Sequence, residues 1–269
     1  MSFKLSLVQM DCKFGDTEQN LNHAEALVRK AAAQGANIIC LPECFNVGYS
    51  VHRVGEMARQ AEPLDGKTIS CMAGLSKELH VHLIAPIVST VGVGIFQNTA
   101  VFISDEGNII GCYSKTHTIG QEKDYFRRGR DYSVFKTKYG NIGILICYDM
   151  AHPETSRILA LKDAQLIIVP AAWRDLKEYR LGFNTNLACR AIDNILFVAG
   201  VNRVGEIDGV DFCGDSQIVD PLGRVLSKSC GGESIVSAEI DFNMVLEERF
   251  NNPILSDRHP EDYSILSAI

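Results

Sequence analysis

Three residues able to carry out covalent acyl chemistry together stand in separate short motifs. They are Glu43 in Leu-Pro-Glu-Cys-Phe, Lys115 in Tyr-Ser-Lys-Thr-His and Cys147 in Ile-Cys-Tyr-Asp-Met. A carboxylate can take a thiol proton, an ammonium favours thiolate and oxyanion, and a cysteine at a strand end supplies the nucleophile. Neither histidine nor metal is needed for that set, and amide-type hydrolysis is the chemistry it points to.

Each residue also has a plainer reading. A free cysteine is most often core packing, but Cys147 is followed by Tyr148-Asp149 and a helix-opening Pro153, a position that presents sulfur beside free backbone N–H groups. Glu43 would be a surface acid were it not flanked by Leu41, Pro42, Cys44 and Phe45, which desolvate it and move its pKa toward the range of a working base. Lys115 could snorkel from a strand end, yet a partly buried ammonium needs a partner, which Glu43 and the thiolate provide. Glu122 reads either as an exposed loop acid or as the group that orients Lys115. His117, two residues from Lys115, is left outside the catalytic set because a lone histidine is more often structural.

The elements that must position these groups alternate along the chain. Residues 3 to 10 alternate apolar and polar, and Asp16 opens a capped helix whose apolar spacing runs to Gly35. A buried strand from Asn37 is stopped by Pro42, so Glu43 falls just past a strand end. A helix over Lys67 to Leu79 precedes a strand over Val81 to Val88. Asn98 to Ile103 and Asn108 to Ser114 read as a hairpin about Asp105-Glu106-Gly107, which makes the sheet mixed and leaves Lys115 at a strand end. Ile142, Ile144 and Ile146 alternate along a strand ending at Cys147, and Pro153 opens the next helix. Strand Gln165 to Ala172, a helix over Leu176 to Asp193 and strands Ile195 to Val201, Phe212 to Val219, Arg224 to Leu226 and Ser234 to Ile240 follow. From Arg249 the periodicity is lost, and residues 249–269 read as an extended C-terminal arm. With no linker, repeat or low-complexity tract, the expectation is one α/β domain over residues 1–269 with three candidate groups at three strand ends.

Bulk properties narrow the function classes. Hydrophobic residues make up 46% and charged residues 22% of the chain, and no apolar stretch has the length of a membrane span. A net charge of −7 argues against a nucleic-acid or anionic-membrane footprint. The first residues run directly into strand-like alternation without a signal-peptide pattern, and the nine cysteines are odd in number with Cys40, Cys112 and Cys147 inside apolar runs. A reducing cytoplasm is the expected compartment. Nothing completes a dinucleotide, P-loop or zinc pattern, so no cofactor and no metal is expected.

In these motifs the chain resembles the nitrilase, or carbon–nitrogen hydrolase, superfamily. The resemblance extends through Gly129, the strand Asn141-Ile-Gly-Ile-Leu-Ile-Cys, Pro153-Glu154 with Arg157, Pro170-Ala-Ala, Arg190-Ala-Ile-Asp-Asn, Val201-Asn202-Arg203, Phe212-Cys-Gly-Asp-Ser216 and Pro221-Leu-Gly223. It implies a four-layer α-β-β-α sandwich with two mixed sheets and a Glu-Lys-Cys triad on Glu43, Lys115 and Cys147. It also implies a second glutamate at Glu122, and an oxyanion held by Lys115 and the Tyr148 backbone N–H. The implied reaction passes through a thioester and releases ammonia from a small amide or N-carbamoyl substrate. Association into a homodimer or larger homo-oligomer through helices near the site and the C-terminal arm is implied as well. Cys-Tyr-Asp followed by Pro-Glu resembles amidases and carbamoyl hydrolases more than true nitrilases, where Cys-Trp-Glu is usual. A nitrile substrate is therefore the runner-up, and acyl transfer or an idle scaffold of the same fold stay open. Tyr49, His152, Trp173 and Arg174 match or flank pocket-lining positions, and Arg174 or Arg180 could pair with a substrate carboxylate.

Overall fold

A computed structural model describes residues 2–176 and 180–268. Strands β1 (Ser2–Gln9), β2 (Ile38–Cys40), β3 (His82–Gly92), β4 (Ile95–Ile103) and β5 (Ile109–Ser114) form one sheet. A second takes β6 (Val134–Lys136), β7 (Asn141–Ile144), β8 (Leu166–Ala171) and β9 (Phe197–Asn202). After a small hairpin of β10 (Glu206–Ile207) and β11 (Val210–Asp211), β12 (Gln217–Val219) and β13 (Val225–Lys228) complete the second sheet and β14 (Ser234–Asp241) closes the first. The spatial orders are β14-β1-β2-β3-β4-β5 and β13-β12-β9-β8-β7-β6, each mixing parallel and antiparallel pairs.

Side-chain alternation explains why the sheets stack. Along the first sheet, Phe3, Leu5, Leu7, Ile38, Cys40, Ile84, Ala100 and Phe102 pack toward Ile142, Ile144, Phe197 and Ala199 of the second. Their neighbours Val8, Ile39, Leu83, Ala85, Val101 and Ile103 point the other way, onto α1 (Thr17–Ala33) and α3 (Lys67–Leu79) through Leu21, Ala24, Val28, Ile69, Met72 and Leu75. Strands buried on both faces read as continuous apolar runs, as these do. Helices α5 (Pro153–Leu161) and α6 (Arg180–Asn194) cover the far side of the second sheet with Leu159, Phe183, Leu187 and Ala191. The result is a four-layer α-β-β-α sandwich. No helix among the described residues is long and apolar enough to cross a membrane.

The expected elements recur with shifted ends. Asp16 caps α1 by accepting from the Gln19 N–H at 3.1 Å, and α3 has the anticipated limits. The stretch Phe212 to Val219 is strand only over β12, because Asp215 and Gly214 take left-handed backbone just before it. Helix α7 (Asn243–Asn251), anchored by buried Val245, was not expected and runs into the first residues of the arm, and within the arm a 3₁₀ helix spans Pro260–Ser267. Short α2 (Val54–Arg59) and α4 (Glu122–Tyr125) carry too few turns for periodicity to show. The Leu176 to Asp193 helix is seen from Arg180 onward; residues 177–179 and the Arg180 side chain lie outside the described residues.

Candidate active site

Glu43 follows β2, Lys115 follows β5, Cys147 follows β7, and the segment Ala172 to Arg174 follows β8, so both sheets deliver groups to one place. Glu43, Lys115 and Glu122 are essentially inaccessible, whereas Cys147 keeps 8% of its surface open. Lys115 Nζ donates to Glu43 Oε1 at 2.9 Å and to Glu122 Oε1 at 2.8 Å. Glu122 is not a loop surface acid: it begins α4, accepts the Ile119 N–H at 2.9 Å and the Tyr49 hydroxyl at 2.8 Å, and holds Lys115 from behind. Glu43 also accepts from Asn98 Nδ2 at 2.7 Å on Oε1 and from the Ala172 N–H at 2.8 Å on Oε2.

The electrostatics follow from burial with partial compensation. Burial pushes the Glu43 carboxyl up, Lys115 opposes that rise, and Glu122 adds to it. For Lys115, burial alone would lower the pKa, but Glu122 and Glu43 outweigh it and keep the ammonium well above the usual range. Cys147 is driven well above an ordinary thiol by burial and by Glu43, with Lys115 and the Ala172 N–H pulling the other way. Burial, and after it Glu43, thus outweigh the ammonium that, on sequence grounds, favours thiolate. A thiol in this setting reacts by handing its proton to a base as it attacks.

The backbone around the sulfur is strained in a useful way. Cys147 sits at φ 48° and Cys44, beside Glu43, at φ 50°, both in the left-handed region that costs a residue with a side chain about 1–3 kcal/mol. At Cys147 the strand turns into a 3₁₀ helix, Cys147–Ala151, and the Tyr148 N–H at its start finds no acceptor among the described residues. That donor lies one residue from the sulfur, where a developing oxyanion would be held.

Asp149 ties this turn to the Lys115 loop. Its buried carboxylate accepts from the Ile146 N–H at 3.0 Å and the Tyr113 hydroxyl at 2.8 Å on one oxygen. On the other it accepts from the Thr116 and His117 N–H groups at 3.2 and 2.7 Å. His117 Nδ1 lies 3.0 Å from Asp149, and its ring stacks on His152 with centroids 3.8 Å apart.

A third tie is a close backbone approach. The Gly129 N–H donates to the Lys115 carbonyl at 2.8 Å, and a Cβ on Gly129 would meet the Ser114 carbonyl oxygen at 2.1 Å. Gly129→Ala is expected to destabilise the fold by about 1–3 kcal/mol, read as a lower urea midpoint, because backbone rather than a flexible side chain must move. An unchanged midpoint would show that the Lys115 strand end yields freely.

A cavity of about 570 Å³ opens on Cys147 and Tyr148 and is lined by Tyr49, His52, Trp173 and Arg174 among others, with no aspartate or glutamate among the described residues of its wall. Tyr49, Trp173 and Arg174 thus line the cavity. His152 does not line it; its ring is spent on the His117 stack and an edge-on contact with Tyr148. His52, Asn98 and the Ala172 N–H escaped sequence reasoning. For Asn98 a signal existed, since a polar side chain inside a buried strand needs a partner. A larger and more open groove of about 980 Å³, between Asp11, the start of α1 and Glu233, contains none of these groups.

The chain is 33% identical over 265 residues to a protein named nitrilase from Pyrococcus abyssi, covering 97% of this chain and 98% of that one. It is 31% identical to omega-amidase NIT2 of Mus musculus, covering 99% and 98%. The fold superposes on the crystal structure of a carbon-nitrogen hydrolase from Helicobacter pylori with a TM-score of 0.91 at 28% identity, over 98% of both chains. The family model for carbon-nitrogen hydrolases matches residues 4–249, a span that includes every group described above, and the chain is accordingly a member of the carbon-nitrogen hydrolase family.

Proposed function

We propose that the protein is an amidase-type hydrolase that cleaves the C–N bond of a small linear amide or N-carbamoyl compound through a thioester on Cys147. The observation that carries this reading is geometric: a buried carboxylate–ammonium pair, Glu43 and Lys115, lies behind Cys147, whose side chain lines a cavity. Cys147 attacks the acyl carbon as its proton passes to Glu43. Lys115 and the Tyr148 N–H stabilise the oxyanion, and Glu43 returns the proton to the departing ammonia. Glu43 then takes a proton from water, whose oxygen attacks the thioester and frees the acid and the thiol. Glu122 and the Tyr49 hydroxyl keep Lys115 in place. No step calls for a cofactor.

The acyl part of the substrate carries an anionic group in this reading. Arg174 lines the cavity, and a guanidinium can grip a carboxylate in bidentate fashion. The mouse relative's name, omega-amidase, fits such a substrate. The test is ammonia release, with carbon dioxide recorded in parallel, over N-carbamoyl amino acids, ω-amides of dicarboxylic acids, aliphatic amides and nitriles, with Cys147→Ala as blank. Ammonia from an amide supports the amidase reading, and carbon dioxide in equal amount assigns the carbamoyl class. Turnover of nitriles alone would replace it, and silence together with no preferential iodoacetamide labelling of Cys147 would point to a scaffold.

The same reading includes self-association. Leu161 and Ile192 on α5 and α6, and Phe250, Ile265 and Leu266 toward the C-terminus, are exposed, an amount of outward apolar surface that a partner copy would cover. Sedimentation velocity should give a mass of at least two chains; a monomer at micromolar concentration would contradict it.

A further inference from the structure

Asn98 touches the site twice from strand β4. Its backbone carbonyl accepts the Lys115 N–H at 2.9 Å, and its side-chain Nδ2 donates to Glu43 Oε1 at 2.7 Å, with only 1% of the residue exposed. The amide can take this orientation only, because its oxygen turned toward an ionised carboxylate would set acceptor against acceptor. Asn98 Oδ1 consequently stays buried without a partner, an uncompensated cost retained at the site.

A carboxylate oxygen offers about two lone-pair directions. On Glu43, Oε1 is filled by Asn98 Nδ2 at 2.7 Å and Lys115 Nζ at 2.9 Å. Oε2 holds one bond, from the Ala172 N–H at 2.8 Å. We infer that Asn98 is a positioning residue that, with Lys115, closes Oε1 to protonation and so makes Oε2 the oxygen that exchanges protons with Cys147 and with the leaving group. The inference rests on Glu43 being the base and Cys147 the nucleophile.

The step balances on that one oxygen. The S–H bond breaks, the proton bonds to Oε2, and the sulfur electron pair forms the bond to the acyl carbon. The proton then leaves Oε2 for the departing amine, and a water proton takes its place during thioester hydrolysis. Asn98 and Lys115 stay on Oε1 throughout, so the carboxyl group need not rotate between half-reactions. A donor on the ionised form also favours that form, which counteracts the upward push that burial gives Glu43.

The pH dependence separates this role from a merely structural one. Full-length wild type, Asn98→Leu and the isosteric Asn98→Asp are compared by kcat/KM for the best amide. They are also compared by the rate of Cys147 alkylation with iodoacetamide, mapped by peptide mass against Cys147→Ala. Losing the donor should move the acid limb of both profiles up by about one pH unit in Asn98→Leu, a roughly tenfold slower rate below the limb that recovers in alkali. Asn98→Asp should move it further, since a second carboxyl against Oε1 must share a proton with Glu43. KM should change little. An acid limb that stays in place in both variants, with the rate unchanged or scaled down uniformly, would overturn the assignment. If Asn98→Leu fails to fold, Asn98→Asp decides. If no amide is turned over, the alkylation profile still reads the Glu43–Cys147 pair, which keeps a failure of this inference distinct from a failure of the amidase reading.

Discussion

Cys147→Ala should bring amide hydrolysis to the uncatalysed background, a loss of at least about 10⁴-fold in kcat, while the melting transition stays within a few degrees of wild type. The asymmetry comes from what the side chain does. Its sulfur packs against the Glu43 carboxylate and opens to a cavity, so truncation removes a small, partly exposed group and relieves a buried thiol whose ionisation is already opposed. Residual turnover within tenfold of wild type would mean that Glu43 activates water directly and that no covalent step is needed. Cys147→Ser should restore little, because an alkoxide is far harder to form than a thiolate beside a buried carboxylate.

Lys115→Met should damage both activity and stability. Without the ammonium, Glu43 and Glu122 are left as two buried carboxylates with their shared cation gone, where breaking a buried pair from one side costs about 3–5 kcal/mol. Activity should fall by at least about a hundredfold through loss of oxyanion stabilisation. The sign of the pH dependence follows from Glu43. Its carboxyl already lies above the usual range through burial, with Lys115 the main opposing influence, so removing Lys115 raises it further. A group with a raised pKa in the folded state binds more protons folded than unfolded. The variant's stability is then retained below the unfolded carboxylate pKa of about 4.3 and is lost as pH climbs through the raised folded value. Urea melts at pH 5 and pH 8 should show a wild-type-to-variant gap that is wider at pH 8. Equal gaps would indicate that the two carboxylates are solvated or already protonated in the native protein.

How much of this could be read from the chain alone depends on the range of the interaction. Strands buried on two faces announce themselves as apolar runs, and the hairpin before Lys115 by Asp105-Glu106-Gly107, because those signals are local. The placement of Glu43, Lys115 and Cys147 just past strand ends was readable for the same reason. What was not readable depends on partners distant in sequence. Asn98 reaches Glu43 across 55 positions, and the Ala172 N–H reaches it across 129. The protonation state of Cys147 is a balance of burial and three charges, and motif flanks give the sign of each influence without the sum. His152 was placed at or beside the pocket by resemblance alone, and its ring stacks on His117, 35 positions away, a contact no local signal announces. Helix α7 was missed because only Val245 among its residues is buried, so its apolar positions form no stripe.

The central claim is a covalent acyl-enzyme on one sulfur. Its most direct measurement is intact mass, followed by peptide mapping, of wild-type protein quenched in acid during turnover of the best amide found in the substrate panel. The account predicts a mass gain equal to the acyl group, located on the peptide containing Cys147, absent from Cys147→Ala and discharged by added hydroxylamine as the hydroxamate. An acyl group found on any other residue, or ammonia released at the wild-type rate by Cys147→Ala, would contradict it.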